Sequence, residues 1–426
     1  MLPSGHVLVK TSRALSVWQN HDLMGLEDAR DKSEELVRAS AAAHRLKDAL
    51  ARTCDGRRVL VTGNTRFVGS WLAYLLAMHG AKVVGLSLPA APEAKALRDG
   101  INRPVQTVIG DVNNFATVLG VVKDYEPEVI FHLAAQALVL PSYEQPLATM
   151  ATNIIGTANV LEALRLSGCS LSCVVVTSDK CYAVGPRHSF QPHNESDPLG
   201  GTDPYSASKA GAEIVTNAYW QSFGGTSLRA IATARAGNIV GGGDWALGRI
   251  VPDWARSVRD SAPLHLRQPE AVRPWQHVLD AVAGYVLLAD ALAAEPSQYA
   301  GAWNFGPPGT NGTTVQELVE MFQRTWTAHT GQPPSAIDSD KPSAQDQHRN
   351  APHGGKERLF LALDSTKARE ALGWSQRLDL SSTVEWTAEW YARALRDPHA
   401  DLAEVTARQI NRYVELCGAG RTSGAG

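Results

Sequence analysis

Short apolar runs alternate with helical stretches along most of the chain after Arg58. Val59-Leu60-Val61-Thr62-Gly63 reads as a buried strand, and the helix after it carries Trp71, Leu72, Leu75 and Leu76 on its apolar positions. Val83-Val84-Gly85-Leu86 is a second strand. Val105 to Ile109 is a third, ending at Gly110-Asp111. A helix near 116–123 precedes Val129-Ile130-Phe131-His132-Leu133, and a longer helix runs from about Pro146 to Leu166. Cys173-Val174-Val175-Val176-Thr177 makes a fifth strand, the segment after Tyr205 is helical, and Ala230 to Val240 supplies a sixth. These strands do not alternate polar with apolar residues, so both faces of their sheet must be covered, as in a parallel sheet wrapped by helices. The predicted fold is α/β: a doubly wound parallel sheet, Rossmann-like, with six strands in succession.

The flanking regions have other rhythms. Leu26, Ala29, Leu36, Ala39, Ala43, Leu46 and Leu50 recur mostly at three- or four-residue steps, which predicts a helix stopped by Cys54-Asp55-Gly56. Residues 1–56 are therefore assigned to a helical N-terminal extension and 57–240 to a dinucleotide-binding domain, to which segments at about 275–306 return. Residues 241–415, with shorter elements and more Pro and Trp, form a smaller C-terminal α/β substrate-binding region. Within it, 331–355 is rich in polar and chain-breaking residues and reads as a long surface loop. Residues 416–426 are read as a disordered tail.

Composition narrows the functional classes. The 426 residues are 44% hydrophobic and 19% charged, enough for a large core. Forty Lys and Arg against 43 Asp and Glu give a formal charge of −3, so no positive excess drives binding to nucleic acid or an anionic membrane. Five scattered cysteines form no CxxC pair and no Cys/His spacing suited to zinc. With no signal-peptide core and no apolar run of membrane-spanning length, a soluble cytoplasmic protein is expected.

The chemistry is concentrated at strand ends. The first strand leads through Thr62-Gly63-Asn64-Thr65-Arg66-Phe67-Val68-Gly69 into a helix. A strand, a glycine turn and a helix N-terminus together aim free N–H groups and the helix dipole at a dinucleotide pyrophosphate. The expected spacing is Gly-x-x-Gly-x-x-Gly, with Arg66 in place of the middle glycine. A side chain there obstructs the phosphates, points outward or pairs with them. Asp111, after the third strand, is placed to accept from an adenine amino group. The second strand ends Leu86-Ser87-Leu88, with neither an acid for a ribose diol nor an Arg for a 2′-phosphate, so local chemistry does not separate NAD from NADP.

Thr177-Ser178-Asp179-Lys180 sits at the carboxyl end of the fifth strand, where open α/β sheets place their ligands. Tyr205 and Lys209, four apart, share a helix face, and an ammonium there is expected to favour the phenolate and lower the Tyr pKa. Past the sixth strand, Arg235-Ala236-Gly237-Asn238 opens a glycine-dense turn through Trp245, and Arg249 and Arg273-Pro274-Trp275-Gln276-His277 add guanidinium forks suited to a diphosphate.

In this order the motifs resemble the extended short-chain dehydrogenase/reductase superfamily, and more narrowly the CDP-glucose 4,6-dehydratases, over about residues 57–415. The strings Ser178-Asp179-Lys180-Cys181-Tyr182 and Arg273-Pro274-Trp275-Gln276-His277 carry the narrower likeness. The resemblance implies a nucleotide-sugar substrate and NAD, with NADP still open, recycled through a 4-keto intermediate. It implies cofactor contacts from Gly63, Thr65, Arg66, Phe67, Gly69, Asp111, Ala134, Tyr205 and Lys209. Ser178, Asp179, Lys180, Tyr205 and Lys209 would be catalytic, and Gln136, Asn238, Arg249, Arg273 and His277 would meet the substrate. Lys180 could act as a base only if its pKa is depressed. A homo-oligomer, dimer or tetramer, is expected. Besides Arg66, the chain departs from the family at Asn64, Val68, Ala137, Leu140 and Gly248. Two other readings stay open: a relative recruited to a different reaction independent of NAD, and a non-catalytic scaffold.

Overall fold

A computed structural model describes residues 45–89, 105–183, 191–226, 228–308, 312–332, 335–338, 361–397 and 400–418. Its centre is a sheet of seven strands, all parallel: β1 (Arg58–Thr62), β2 (Lys82–Ser87), β3 (Gln106–Ile109), β4 (Val129–His132), β5 (Ser172–Val176), β6 (Ile231–Ala236) and β7 (Gly301–Phe305). Their spatial order is β7-β6-β5-β4-β1-β2-β3. Successive side chains point to opposite faces. Accordingly Val59, Val61, Phe131 and Val174 join one buried cluster and Leu60, Ile130, Cys173 and Val175 the other.

Helices cover both faces. On the first lie α1 (residues 45–54), α2 (Phe67–Met78) and, later in the chain, a helix over Val278–Ala294. On the second lie α3 (Phe115–Tyr125), then α4 (Pro146–Met150) and α5 (Gly156–Ser167) with one π-helical turn, Ala151–Ile155, between them, and α6 (Pro204–Phe223). Local chemistry sets their ends. Asn114 accepts from Thr117 N at the start of α3, and Asp203 accepts from Ser206 N at the start of α6, with Pro204 in the first turn. Gly168 closes α5 at φ 65°.

The rest of the chain adds α7 (Ile250–Asp260), α8 (Val278–Ala294), α9 (Val315–Thr330), α10 (Leu380–Arg396) and α11 (Leu402–Gly418). Trp254 packs against Phe322, Trp326 and Tyr391 with ring centroids 4.8–6.2 Å apart, knitting α7, α9 and α10 together.

Several expectations change. A seventh strand, β7, pairs with β6 from Gly301↔Ala232 to Phe305↔Ala236, so the six consecutive strands are not the whole sheet. The single helix expected over 146–166 carries a π turn, because five residues there shift the hydrogen-bond register. Leu416, Cys417 and Gly418 belong to α11, and Cys417 is buried, so the tail cannot begin at 416. Ile337–Asp338 forms a short ladder with Leu264–His265 inside the expected surface loop; 333–334 and 339–360 lie outside the described residues. Of the N-terminal helix, residues 45–54 are described, with Leu46, Leu50 and Cys54 in the main core, while 1–44 lie outside, as do 419–426.

Candidate active site

The strand order reverses between β1 and β4, and there the connections leave the carboxyl edge in opposite directions and open a crevice. Thr62 and His132 face each other at those two strand ends. Their hydrogens can be traced. Thr157 Oγ1 donates to Asn153 O at 2.7 Å, so it accepts from His132 Nε2 at 3.1 Å. His132 Nδ1 must then accept from Thr62 Oγ1 at 2.7 Å, and Thr62 Oγ1 in turn accepts the N–H groups of Leu133 and Ala134, each at 3.1 Å. Burial, helped by the charge of Lys209, pushes His132 down to about 3, which keeps it neutral and the chain intact. This network fixes the crevice floor, and Ala134 serves it through its backbone N–H.

Above the floor, Gly63 takes φ +77°, and a Cβ there would lie 2.9 Å from Ala134 N. A Cβ on Gly69 would lie 2.3 Å from Gly63 O, so strand end and helix start touch backbone to backbone. Thr65 is buried and bonds Ser87 Oγ at 2.6 Å and Leu88 O at 3.0 Å, while Phe67 is buried in the main core. Both hold the loop through their side chains. Arg66 is the N-cap residue of α2, and its side chain is exposed. It points outward and does not fill the turn. Helix α2 starts with no side-chain cap and no acidic residue in its first turn. Its first N–H groups are thus left for an outside acceptor, and the residues present fit a dinucleotide pyrophosphate. Asp111 accepts from Asn113 N at 2.9 Å beyond the end of β3.

The second group gathers at the end of β5. Ser178 hydrogen-bonds the Tyr205 phenol and donates to Asp179 Oδ1 at 3.0 Å. Asn238, at φ +52°, reaches Asp179 Oδ2 from the other side at 3.4 Å, and a Cβ on Gly237 would lie 1.9 Å from that oxygen. Asp179 is 3% exposed and Tyr205 7%, while Lys180 is half-buried. Tyr205 N donates to Ser142 Oγ, which fixes the start of α6 against the short helix Val139–Glu144.

The electrostatics differ from expectation. Burial pushes the Tyr205 phenol up to about 12, with Ser178 and the guanidinium of Arg249 opposing the shift. The larger influences on it do not include Lys209. Its ammonium, 5% exposed, donates instead to Val176 O at 3.1 Å, and burial depresses it to about 8. A cation that does act on the phenol is Arg249, ion-paired with Asp244 at 2.9 Å and half-buried.

Among the residues expected to meet a substrate, Arg249 stands beside Tyr205. Asn238 is engaged with Asp179. The Gln136 amide is spent on its own loop, donating to Leu138 O and Thr149 Oγ1 and accepting from Leu138 N. Arg273 is buried and donates to Val272 O at 2.9 Å. His277 requires correction. It is 0% exposed, lies edge-on between Trp71 and Trp386, accepts from Leu279 N to cap α8, and is held neutral by burial at about 3. With no surface left, it serves the core and cannot touch a ligand.

Sequence reading missed Asn153, Thr157 and Ser142. Asn153 lies in the π turn, where it accepts from Gln136 N and donates to Gln136 O and to Ser208 Oγ, which itself donates to Tyr205 O. Asn153 shares its helical stretch with Thr149, Thr152, Thr157 and Asn159, so nothing local set it apart.

A family model described as GDP-mannose 4,6-dehydratase matches residues 60–387. The chain is 37% identical to a CDP-glucose 4,6-dehydratase of Salmonella typhimurium strain LT2, over 84% of this chain and 97% of that protein. Among solved structures it is similar to a UDP-glucose 4-epimerase of Thermus thermophilus in complex with NAD, with a TM-score of 0.64, 24% identity, and coverage of 78% of this chain and 98% of that one. It is also similar to a dTDP-glucose 4,6-dehydratase of Streptomyces venezuelae with NAD bound, with a TM-score of 0.63, 23% identity, and coverage of 78% and 96%. Both structures support the fold.

Proposed function

The chain belongs to the GDP-mannose 4,6-dehydratase family, and from that premise we propose that it is an NAD-dependent nucleotide-sugar 4,6-dehydratase acting on CDP-glucose. The observation that carries the reading is the continuous line from the Tyr205 phenol through Ser178 to the carboxylate of Asp179, held by Asn238, at the carboxyl edge of the sheet. Such a line joins a group that can move a proton at the sugar's 4-hydroxyl to one that can move a proton at a leaving hydroxyl. The cytidine choice rests on the 37% identical relative.

Gly63, Gly69 and the uncapped start of α2 would hold the pyrophosphate, and Lys209 would face the ribose. When bound, the dinucleotide supplies a hydride acceptor for C4, the same hydride for return to C6, and a positive ring charge. Tyr205 takes the proton of the 4-hydroxyl, with Ser178 keeping the phenol aligned and Arg249 favouring the phenolate. The resulting ketone acidifies the C5 proton, and the Asp179–Lys180 pair would supply the base that takes it. The same pair would supply the acid that protonates the C6 hydroxyl as it leaves, and a proton goes back to C5 as hydride returns to C6, so the net change is loss of one water. Arg249 and Arg273 would meet the diphosphate. We also propose a cytoplasmic homo-oligomer: Leu147, Ile155 and Ile214 are exposed on the adjoining α4, π turn and α6. Among the described residues no helix is long and apolar enough to cross a membrane.

The test incubates purified protein with CDP-glucose and NAD and reads the ultraviolet absorbance of a 4-keto sugar in base. Product is expected with CDP-glucose. Absence of product from CDP-, dTDP- and GDP-hexoses overturns the assignment.

A further inference from the structure

One buried ion pair has no part in the steps above, yet touches both ends of the segment that carries out the elimination. Glu213, on α6 one turn beyond Lys209, is 3% exposed. Its Oε1 accepts from Thr177 Oγ1, and its Oε2 accepts from Thr233 Oγ1 and Arg235 Nη2, both at 2.8 Å. Arg235, on β6, is equally buried; its other nitrogen, Nη1, donates to the Tyr182 hydroxyl at 2.8 Å and to Glu195 O at 3.2 Å. The guanidinium carbon also lies 4.8 Å from the centre of the Tyr182 ring. Tyr182 continues outward, donating to Asn304 Oδ1 on β7 at 2.7 Å and stacking on His193 at 4.5 Å.

Thr177 immediately precedes Ser178-Asp179-Lys180, and Tyr182 follows it by two residues, closing the single 3₁₀ turn Asp179–Cys181. A turn that short has almost no hydrogen bonding of its own to hold it. Two desolvated charges are an expensive way to fill a core, since apolar residues of equal volume serve as well. What an apolar pair could not do is grip two hydroxyls with fixed geometry.

We propose that the Glu213–Arg235 pair is a positioning device for the elimination step, clamping residues 177–182 at both ends so that Asp179 and Lys180 stay aligned while the carbon–oxygen bond breaks. This rests on the dehydratase reading. The oxidation half of the reaction, carried by Tyr205 and Lys209 on α6, meets the clamped segment through Ser178, so it depends on the clamp less than the elimination does.

Two variants isolate it. Arg235→Lys keeps a cation beside Glu213, and so preserves the charge near Lys209, but its single ammonium cannot span Glu213 and Tyr182 together. Tyr182→Phe removes only the hydroxyl that Arg235 grips. Rapid mixing of the nucleotide-loaded protein with CDP-glucose follows the near-ultraviolet absorbance of reduced nicotinamide, which rises with oxidation at C4 and decays as hydride returns to C6. In both variants the decay should slow by about tenfold or more, and by clearly more than the rise. A decay as fast as wild type overturns the proposal. So does an equal slowing of rise and decay, or loss of bound nucleotide, either of which marks a purely structural pair. If Arg235→Lys does not fold, Tyr182→Phe decides alone. Should the wild type dehydrate no nucleotide hexose, it is the functional reading that fails. Amide exchange over 177–182 then judges the clamp: faster exchange in the variants supports it, and unchanged exchange overturns it.

Discussion

Lys209 is the group whose burial has the clearest energetic consequence. Its ammonium is 5% exposed, and burial outweighs the nearby carboxylate of Glu213, bringing the pKa to about 8 from the usual 10.5. Keeping that charge inside the protein at neutral pH costs the fold about 3 kcal/mol. Lys209→Met removes the charge and keeps the length, at the loss of the bond to Val176 O, which offsets about 1–2 kcal/mol of the gain. The protein freed of bound nucleotide should therefore become more stable near neutral pH by roughly 2 kcal/mol while losing activity, a trade expected where a site needs a strained charge. The sign of the pH dependence follows from a lowered pKa. Below about pH 8 the ammonium is charged in both folded and unfolded chains, and the full penalty applies. Between about 8 and 10.5 the folded protein loses the proton first, so wild-type stability gains and the gap to Lys209→Met narrows. Urea unfolding of both proteins across that range measures the gap. A Met variant no more stable than wild type at neutral pH, or a gap that stays constant, would refute the reasoning.

Tyr205→Phe should lower kcat/KM by roughly 10²–10⁴ while bound nucleotide, counted after denaturation, stays at the wild-type level. Gly69→Ala places a methyl group 2.3 Å from Gly63 O, so the glycine turn must open and nucleotide content should fall; a fully loaded variant would contradict the backbone contact. Because Arg66 is exposed and points away from the turn, Arg66→Gly should leave NAD affinity near the wild-type value; clearly tighter binding in calorimetry would mean obstruction, and weaker, less salt-dependent binding a phosphate contact. Asp280, buried and bonded by Arg377 N and the Tyr413 hydroxyl, is pushed up to about 7 by desolvation. Its folded form keeps a proton that the unfolded chain releases from about pH 3.8, so wild-type stability falls through that window as pH rises. Asp280→Asn should flatten the fall in thermal melting, and parallel curves would argue against a charged Asp280 at high pH.

Six strands, the glycine turn and the Ser178-Asp179-Lys180 and Tyr205-Lys209 sets were legible in the sequence, because apolar run length and residue spacing are local properties. The seventh strand was not. Gly301-Ala302-Trp303-Asn304-Phe305 is short and interrupted by Asn304, and only pairing with β6 makes it a strand. Side-chain direction was equally hidden. His277 and Arg273 share one string, but α8 and two tryptophans enclose His277, and Asn238 turns toward Asp179 because its backbone takes a left-handed conformation. The ammonium of Lys209 faces a strand carbonyl, while Arg249, forty-four positions beyond Tyr205, brings the charge to the phenol. Spacing on one helix says which residues share a face, but dielectric and the choice of partner depend on what other segments pack against that face. For that reason the chain's local pattern determined the kind of fold and the identity of its reactive groups, and tertiary packing alone decided which charge acts on which.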